Sequence, residues 1–280
     1  LFLSSNHSYL LYFTDMGRVY RTKTYNIPEA GRTAKGTPVV NIIEKSPEEK
    51  ISEIIPVKEF SDNEYLVMVT KNGVIKKTPA SEYESIRKSG KIAITLKEGD
   101  ELISIFKTTG NDNIFLATRN GMAICFNEND ARAVGRTASG VKAIDLADGD
   151  YVVGAEPVRE DSKVLLVTDG GYGKCTDLTS FRIQHRGGKG LKAYKITEKT
   201  GNIIGISMVN DSEELIMVTS EGVVIRIRIK DIATTTGRIT QGVRLINLND
   251  GVTVVSMDKI SVEEESEENN TEVTAETTEE

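Results

Sequence analysis

The chain has 280 residues, with 35 Lys and Arg against 42 Asp and Glu and a net charge of −7 at neutral pH. Two Cys and two His are too few for a disulfide-stapled scaffold or for a Cys-rich or His-based metal site. No apolar run reaches the roughly 18 residues of a membrane-spanning helix, so we expect no membrane partner. Because the chain starts at Leu1 and shows no basic-then-apolar leader, we interpret it as part of a longer cytoplasmic protein.

A short motif recurs five times along the chain. Each copy has an apolar run, a Thr, two mostly polar residues and a Gly. The copies end at Gly17, Gly73, Gly121, Gly171 and Gly222, with spacings of 56, 48, 50 and 51 residues. Because Gly accepts positive φ, each motif predicts a tight hairpin between two short strands rich in Val, Ile and Thr.

A second Gly and an alternating segment follow each hairpin. The second glycines are Gly36, Gly90, Gly140, Gly190 and Gly242, and the segments are 39–43, 92–96, 141–146, 191–196 and 243–248. Each segment predicts a third strand, and an apolar run after the next turn predicts a fourth. Four strands per roughly 50 residues, repeated, predict an all-β, propeller-like fold.

The predicted repeats span approximately 9–57, 65–109, 113–158, 163–209 and 214–260. Leu1, Phe2 and Leu3 resemble the last strand of a further unit lying upstream. We therefore expect one domain over residues 1–260, with five repeats.

The loop before the second Gly carries an Arg four residues ahead of that Gly in four of the five repeats. These are Arg32, Arg136, Arg186 and Arg238; the second repeat has Ile86 there, with Arg87 and Lys88 displaced toward Gly90. Lys35 adds a base to the first of these loops. Any rotational arrangement puts equivalent loops on equivalent edges, so we expect a basic belt around the outside of the domain.

Further basic residues lie on the strand after the hairpin. They include Lys76 and Lys77 in the second repeat, Lys174 in the fourth, and Arg226, Arg228 and Lys230 in the fifth. Alternation puts the last three on one strand face, either as an ordinary solvated face or as part of a positive path. A positive path suits a phosphate backbone, because each neutralised phosphate releases counterions. No aromatic platform for single strands is evident, so duplex DNA is the expected partner.

The last segment, 261–280, contains nine of the acidic residues and no Lys, Arg or aromatic residue. Residues 1–260 therefore hold 35 basic and 33 acidic residues, a net charge of +2. Such a tail cannot bury enough apolar surface to offset its ordering entropy, so we expect it to be disordered. It is either a solubilising tail or an internal polyanion that competes for a basic surface.

The fourth repeat contains the heptapeptide Gln184-His185-Arg186-Gly187-Gly188-Lys189-Gly190. With the five repeats and the acidic tail, this makes the chain resemble the C-terminal DNA-wrapping domains of DNA gyrase A, which belongs to a bacterial type II topoisomerase. The heptapeptide is similar to the family's Q-R-R-G-G-K-G box, with His185 as the one departure. The family's principal box lies in a first blade, upstream of the strand that Leu1–Leu3 resembles, whereas this heptapeptide lies in a later repeat. Whether it is the principal or a secondary box stays open.

The resemblance implies a six-bladed β-pinwheel, in which neighbouring blades exchange strands and duplex DNA wraps a basic rim. It implies a non-catalytic part of an enzyme that supercoils DNA negatively in the bacterial cytoplasm, at the nucleoid. The implied partners are the rest of gyrase A and the gyrase B protein, in an A2B2 assembly. ATP and Mg²⁺ would be bound by other parts of that assembly, so we expect no cofactor here.

Two alternatives stay open at this point. One is the homologous domain of topoisomerase IV, which usually lacks an intact box. The other, from a different class, is a protein-interaction propeller that binds through its faces and is insensitive to salt.

Overall fold

The computed structural model describes residues 2, 4–31 and 33–261. Its strands are β1 (Tyr9–Thr14), β2 (Arg18–Lys23), β3 (Ile51–Val57), β4 (Tyr65–Thr70), β5 (Val74–Pro79), β6 (Lys91–Ile92), β7 (Leu102–Thr108), β8 (Asn113–Thr118), β9 (Met122–Asn127), β10 (Val141–Lys142), β11 (Val152–Pro157), β12 (Lys163–Thr168), β13 (Tyr172–Asp177), β14 (Leu191–Lys192), β15 (Ile203–Val209), β16 (Glu213–Thr219), β17 (Val224–Arg228), β18 (Thr234–Thr235), β19 (Val243–Arg244) and β20 (Val254–Ser261). Short 3-10 helices cover Thr24–Asn26, Val39–Asn41, Ala80–Tyr83, Glu128–Asp130, Leu178–Ser180 and Ile229–Asp231. This part of the chain has no helix that is long and apolar enough to cross a membrane.

The recurring motif forms the five expected hairpins, β1–β2, β4–β5, β8–β9, β12–β13 and β16–β17. Each hairpin Gly has a positive φ, as at Gly73 (78°). The recurring Thr is buried at the end of the first strand, where its hydroxyl accepts the main-chain N–H four residues later. In the second repeat, Thr70 Oγ1 accepts from Val74 N at 3.2 Å. The Thr therefore closes the turn with a hydrogen bond that the buried main chain needs.

Neighbouring repeats exchange strands. The first four sheets, or blades, have the strand orders β3-β1-β2-β6, β10-β5-β4-β7, β11-β8-β9-β14 and β15-β12-β13-β18, with β19 also paired to β13. In each of them the short outer strand comes from the following repeat. Among the described residues, the fifth blade has only β17, β16 and β20. The all-β, propeller-like prediction is confirmed, and so is the exchange of strands that the family resemblance implied.

The alternating segment after the second Gly is a much shorter strand than predicted, with only two residues in β6, β10, β14 and β19. The prediction of a strand over residues 39–43 is wrong, because Val39–Asn41 forms a 3-10 helix. Equivalent segments pair with the second strand of the preceding blade, and the described chain has no blade before β1. Ile43 instead packs on Leu10 and Tyr20 of its own blade.

The hydrophobic cores lie between successive blades. In β4, Leu66 and Met68 join the core shared with the first blade, whereas Val67 and Val69 join the core shared with the third. Because both faces of a blade are covered, its middle strand is an unbroken apolar run rather than an alternating one. Two further cores join the third blade to the fourth and the fourth to the fifth.

Two predicted features fall at or beyond the limits of the described residues. Leu1 and Leu3 lie outside them, and Phe2 is in no strand. The tail predicted to be disordered lies outside them from residue 262 onward, while Ser261 is the last residue of β20.

Candidate nucleic-acid interface

Four loops lead to the exchanged strands, and we name residues 84–90, 132–140, 182–190 and 233–242 the docking loops. Three of them first run parallel to the second strand of the preceding blade, through the pairs Lys77 with Ala133, Cys125 with Ile183 and Cys175 with Thr234. They then turn back and pair with that strand in antiparallel fashion. Each of these loops therefore forms part of the edge of the blade before it.

The second Gly marks the closest approach of a docking loop to the preceding blade. Gly140 has φ of 86°, and a Cβ at this position would lie 2.5 Å from the carbonyl oxygen of Ile75. Gly190 and Gly242 approach Ala123 and Gly173 in the same way. The recurrence of this Gly therefore reflects the docking of the loop as well as its turn.

The recurring Arg of each docking loop binds main-chain carbonyl groups of the preceding repeat. Arg186 Nε donates to Asp130 O at 2.8 Å, and its Nη1 donates to Lys142 O at 2.9 Å. A planar guanidinium suits this task, because its donors are held in a fixed fork. One Arg thus joins the end of a 3-10 helix to a short exchanged strand.

The same arrangement recurs in the next blade. Arg238 Nη1 donates to Ser180 O at 3.1 Å, and its Nε donates to Lys192 O at 2.8 Å. Arg136 donates to the carbonyl oxygen of Ile92, the equivalent residue of β6. We name Arg136, Arg186 and Arg238 the fork arginines. All three are half-buried, so these members of the predicted basic belt are engaged in contacts within the fold.

Three predicted basic residues of the second strands lie inside the fold. Lys76, Lys77 and Lys174 are 1 %, 4 % and 0 % exposed. Lys76 Nζ donates to the carbonyl oxygens of Ala93 and Arg136. Lys77 Nζ lies 3.2 Å from a carboxylate oxygen of the buried Glu128. The structure therefore gives no phosphate access to these ammonium groups.

The heptapeptide 184–190 forms the turn of the docking loop 182–190. Gly187 N donates to Ala143 O at 2.7 Å, and Gly188 O accepts from Asp145 N at 2.9 Å. The His185 ring is fully exposed and lies 3.3 Å from an Asp130 carboxylate oxygen. Lys189 is also exposed. The turn therefore fixes its main chain on the preceding repeat and directs two of its side chains to solvent.

The other predicted site residues are more dispersed. Lys35, Arg87 and Lys88 are exposed, whereas Arg32 lies outside the described residues. Arg226 and Arg228 are exposed on β17, where both guanidinium groups face the carboxylate of Glu214. The alternation predicted for this strand is present at Arg226, Ile227 and Arg228, with Ile227 half-buried, whereas Ile229 and Lys230 lie in the following 3-10 helix.

One recurring set of basic residues is absent from the sequence-based predictions. The second residue of the short exchanged strand is exposed in each case, and it is basic in three of them: Lys142, Lys192 and Arg244. We name these three residues the rim cations. Their signal in the sequence is a base two residues after Gly140, Gly190 and Gly242. Strand alternation alone does not distinguish these bases from other polar positions of the segment.

The described part of the chain contains no group of three or more His, Cys, Asp or Glu side chains that could hold a metal ion. Cys125 and Cys175 are buried free thiols, and burial raises the pKa of each to about 11. These thiols are poor candidates for nucleophiles or metal ligands at neutral pH.

Comparison with known proteins adds a second line of evidence. A family model described as DNA gyrase C-terminal domain, beta-propeller, matches residues 8–58, 64–109, 112–159, 162–210 and 213–261. The chain is 54 % identical over 265 residues to the DNA gyrase A protein of Halalkalibacterium halodurans, covering 95 % of the chain and 32 % of that protein. It spans about a third of the length of the curated relatives it matches.

Solved structures with the same fold include two C-terminal domains. The C-terminal domain of DNA topoisomerase IV superposes with a TM-score of 0.85 at 28 % identity, covering 91 % of this chain and 80 % of that one. The DNA gyrase A C-terminal domain superposes with a TM-score of 0.78 at 25 % identity, covering 91 % and 83 %.

Proposed function

The chain belongs to the family of DNA gyrase C-terminal domains, and we propose that it binds duplex DNA along the outer edges of its blades and wraps it. In this proposal the chain is a non-catalytic part of gyrase A. It presents wrapped DNA to the rest of the enzyme, which introduces negative supercoils at the expense of ATP.

The observation that carries the proposal is the recurrence of exposed cations at equivalent positions of successive blade edges. Lys142, Lys192 and Arg244 occupy one such position, and Arg87, Lys88 and Lys189 lie in the docking loops beside it. The net charge of residues 1–260 is only +2, so the basic residues matter through their placement rather than their number. A row of cations along the edges can neutralise successive phosphates and release their counterions.

Wrapping needs many such contacts, because smoothly bending 20–30 bp by 40–90° costs of order 1–6 kcal/mol. No single exposed ion pair supplies that much, since surface pairs contribute about 0–1 kcal/mol each. Contacts spread over several blades share the cost and impose the curvature of the ring on the DNA. Phosphate contacts position a duplex without reading its bases, so we expect little sequence preference.

The remainder of the enzyme supplies the chemistry in this proposal. We assign DNA cleavage, ATP and Mg²⁺ to the rest of gyrase A and to gyrase B, in an A2B2 assembly in the bacterial cytoplasm at the nucleoid. No step of that chemistry is assigned to the residues described above. The shared fold of gyrase and topoisomerase IV domains does not separate the two, whereas the sequence relatives support gyrase.

The salt dependence of DNA binding tests the proposal. The observed association constant for a short duplex is measured over a range of NaCl concentrations. We expect a log–log slope of about −4 or steeper, since each neutralised phosphate of B-DNA contributes about −0.9. Binding that is absent, or that does not change with salt, would instead favour a protein-interaction propeller.

A further inference from the structure

Two of the fork arginines bind the main chain of two of the rim cations. The carbonyl oxygen bound by Arg186 belongs to Lys142, and the carbonyl oxygen bound by Arg238 belongs to Lys192. Each fork therefore holds the main chain of the residue whose side chain leaves the blade edge. The Lys142 side chain is 61 % exposed, and Lys192 is also exposed.

Further main-chain hydrogen bonds fix the same segments. Asp145 N donates to Gly188 O at 2.9 Å, and Lys195 N donates to Thr240 O at 3.0 Å. Both bonds join the segment just after a rim cation to the docking loop of the next repeat. The main chain on which each rim lysine sits is thus held from the next repeat.

We propose a division of labour on this edge: the rim cations Lys142 and Lys192 contact DNA phosphates, and the fork arginines Arg186 and Arg238 are positioning residues that hold them in place. The inference rests on the proposed function and deepens it. It moves the phosphate contact from the recurring Arg, which the sequence makes conspicuous, to the base two residues after the second Gly.

The occupied guanidinium nitrogens support this assignment. Arg186 and Arg238 each direct Nε and Nη1 at main-chain carbonyls of the preceding repeat. An arginine that keeps both bonds cannot also place this edge of its fork on a phosphate. The exposed ammonium of Lys142 has a partner in Asp145, at 2.8 Å, which a phosphate can displace at the surface.

The fifth repeat departs from this arrangement. Among the described residues, no docking loop follows β19, so no fork binds the Arg244 carbonyl group. The Arg244 guanidinium instead donates from Nε and Nη2 to the Tyr172 hydroxyl, at 3.1 and 3.0 Å, and from Nη1 to Asn247 Oδ1, at 2.9 Å. All three of its nitrogens are engaged within the chain, so we assign Arg244 no phosphate contact.

The second repeat offers an internal comparison. Arg136 binds the carbonyl group of Ile92, which is 43 % exposed and carries no charge. This edge has a fork but no rim cation. Placing a Lys at residue 92 should therefore add a phosphate contact at a site that is already held.

Lysine substitution of a fork arginine separates the two roles. Arg238→Lys keeps the positive charge and loses the two-donor fork. We expect backbone hydrogen exchange over 191–195 to rise at least about tenfold without DNA, since local opening is set by such contacts. The linking-number change that the variant imposes on DNA should be smaller than that of the wild-type chain. Thermal unfolding of the variant is measured separately to check that it is folded. If Arg238→Lys shows the same hydrogen exchange and the same DNA linking-number change as the wild-type chain, the positioning role is wrong.

Substitution of the rim cations tests the contact role. Lys142→Ala and Lys192→Ala should each make the salt slope shallower by about 0.9 and leave hydrogen exchange unchanged, whereas Ile92→Lys should make it steeper by about 0.9. Lys163→Ala is the matched control, because Lys163 lies on the inner strand β12 and pairs with Asp211 at 2.8 Å. Unchanged slopes in both rim variants would overturn the contact role. If the wild-type chain itself shows no salt slope, the proposed function fails, and the exchange comparison still decides the positioning role.

Discussion

The ammonium group of Lys174 donates a hydrogen bond of 2.5 Å to the main-chain carbonyl oxygen of Arg238, a residue of the following repeat. Lys76 holds the equivalent place in the second blade and donates to the carbonyl oxygen of Arg136. Two blades therefore bury a lysine under the docking loop of the next repeat. In the third blade the equivalent residue is Ile124, which is also buried.

The burial of Lys76 predicts an unusual pH dependence of stability. Burial, followed by the nearby charge of Arg136, lowers the pKa of Lys76 from 10.5 to about 7, while Glu82 opposes the shift. The Tyr83 hydroxyl faces the same Ala93 carbonyl group at 3.5 Å, and burial raises its pKa. Between about pH 7 and 10.5 the folded state therefore binds fewer protons at Lys76 than the unfolded chain.

Stability should accordingly rise with pH across this window, because deprotonation relieves the cost of burying the charge. We expect the free energy of unfolding of the wild-type chain to increase from pH 7 to pH 9 relative to that of Lys76→Met. Urea unfolding at several pH values measures it. An equal pH dependence in the two proteins would show that Lys76 does not titrate in this range.

The close approach of Gly140 to the Ile75 carbonyl group can be tested by substitution. Gly140→Ala adds a Cβ against the Ile75 carbonyl group at a positive φ, so it should destabilise the chain by more than about 1 kcal/mol. Gly135→Ala lies in the same docking loop, has no atom within 4 Å of the added Cβ and serves as the control. Chemical denaturation of both variants compares them, and equal losses would contradict the docked geometry.

The ion pair between Lys77 and Glu128 predicts a structural rather than a DNA-binding phenotype. Lys77→Met leaves the Glu128 carboxylate buried without its cation, which typically costs about 3–5 kcal/mol. Adding Glu128→Gln should recover part of this loss, since a neutral amide needs no counter-charge. The double variant should also keep the wild-type salt slope for DNA binding. A shallower slope in the folded double variant would return Lys77 to the DNA contacts.

The glutamates of residues 262–280 predict competition with DNA. Deleting this segment removes nine negative charges, so affinity for duplex DNA should rise at low salt. The gain should shrink at high salt, where charges are screened. A variant of full length with the nine Glu changed to Gln should match the truncation. Equal affinity of all three chains would leave the segment as a solubilising tail.

The sequence was sufficient to predict the hairpins because their signal is local. A Thr, two residues and a Gly determine both the positive φ and the hydroxyl bond of the turn, as at Thr70 and Gly73. The exchange of strands could not be derived in this way. Whether Lys142 pairs with its own repeat or with Val74 of the preceding one is decided by packing between segments far apart in sequence.

The roles of the basic residues were harder to predict for the same reason. Lys76 and Lys77 are adjacent on β5, so strand alternation predicts that at least one of the two side chains faces solvent. Both faces of this blade are covered, by a docking loop on one side and by Glu128 on the other. An Arg recurs four residues before the second Gly, which marks Arg186 in the sequence. Its hydrogen bond to the Lys142 carbonyl oxygen depends on the neighbouring repeat and cannot be derived in this way.

The measurement closest to the central proposal is the linking number of DNA sealed in the presence of this chain. A nicked plasmid is incubated with increasing amounts of protein, closed with ligase, deproteinised and resolved by gel electrophoresis. Wrapping with a positive crossing predicts topoisomers of increasing positive linking difference, reduced in Arg238→Lys. A topoisomer distribution that matches the protein-free control, at concentrations where the plasmid is bound, would contradict wrapping.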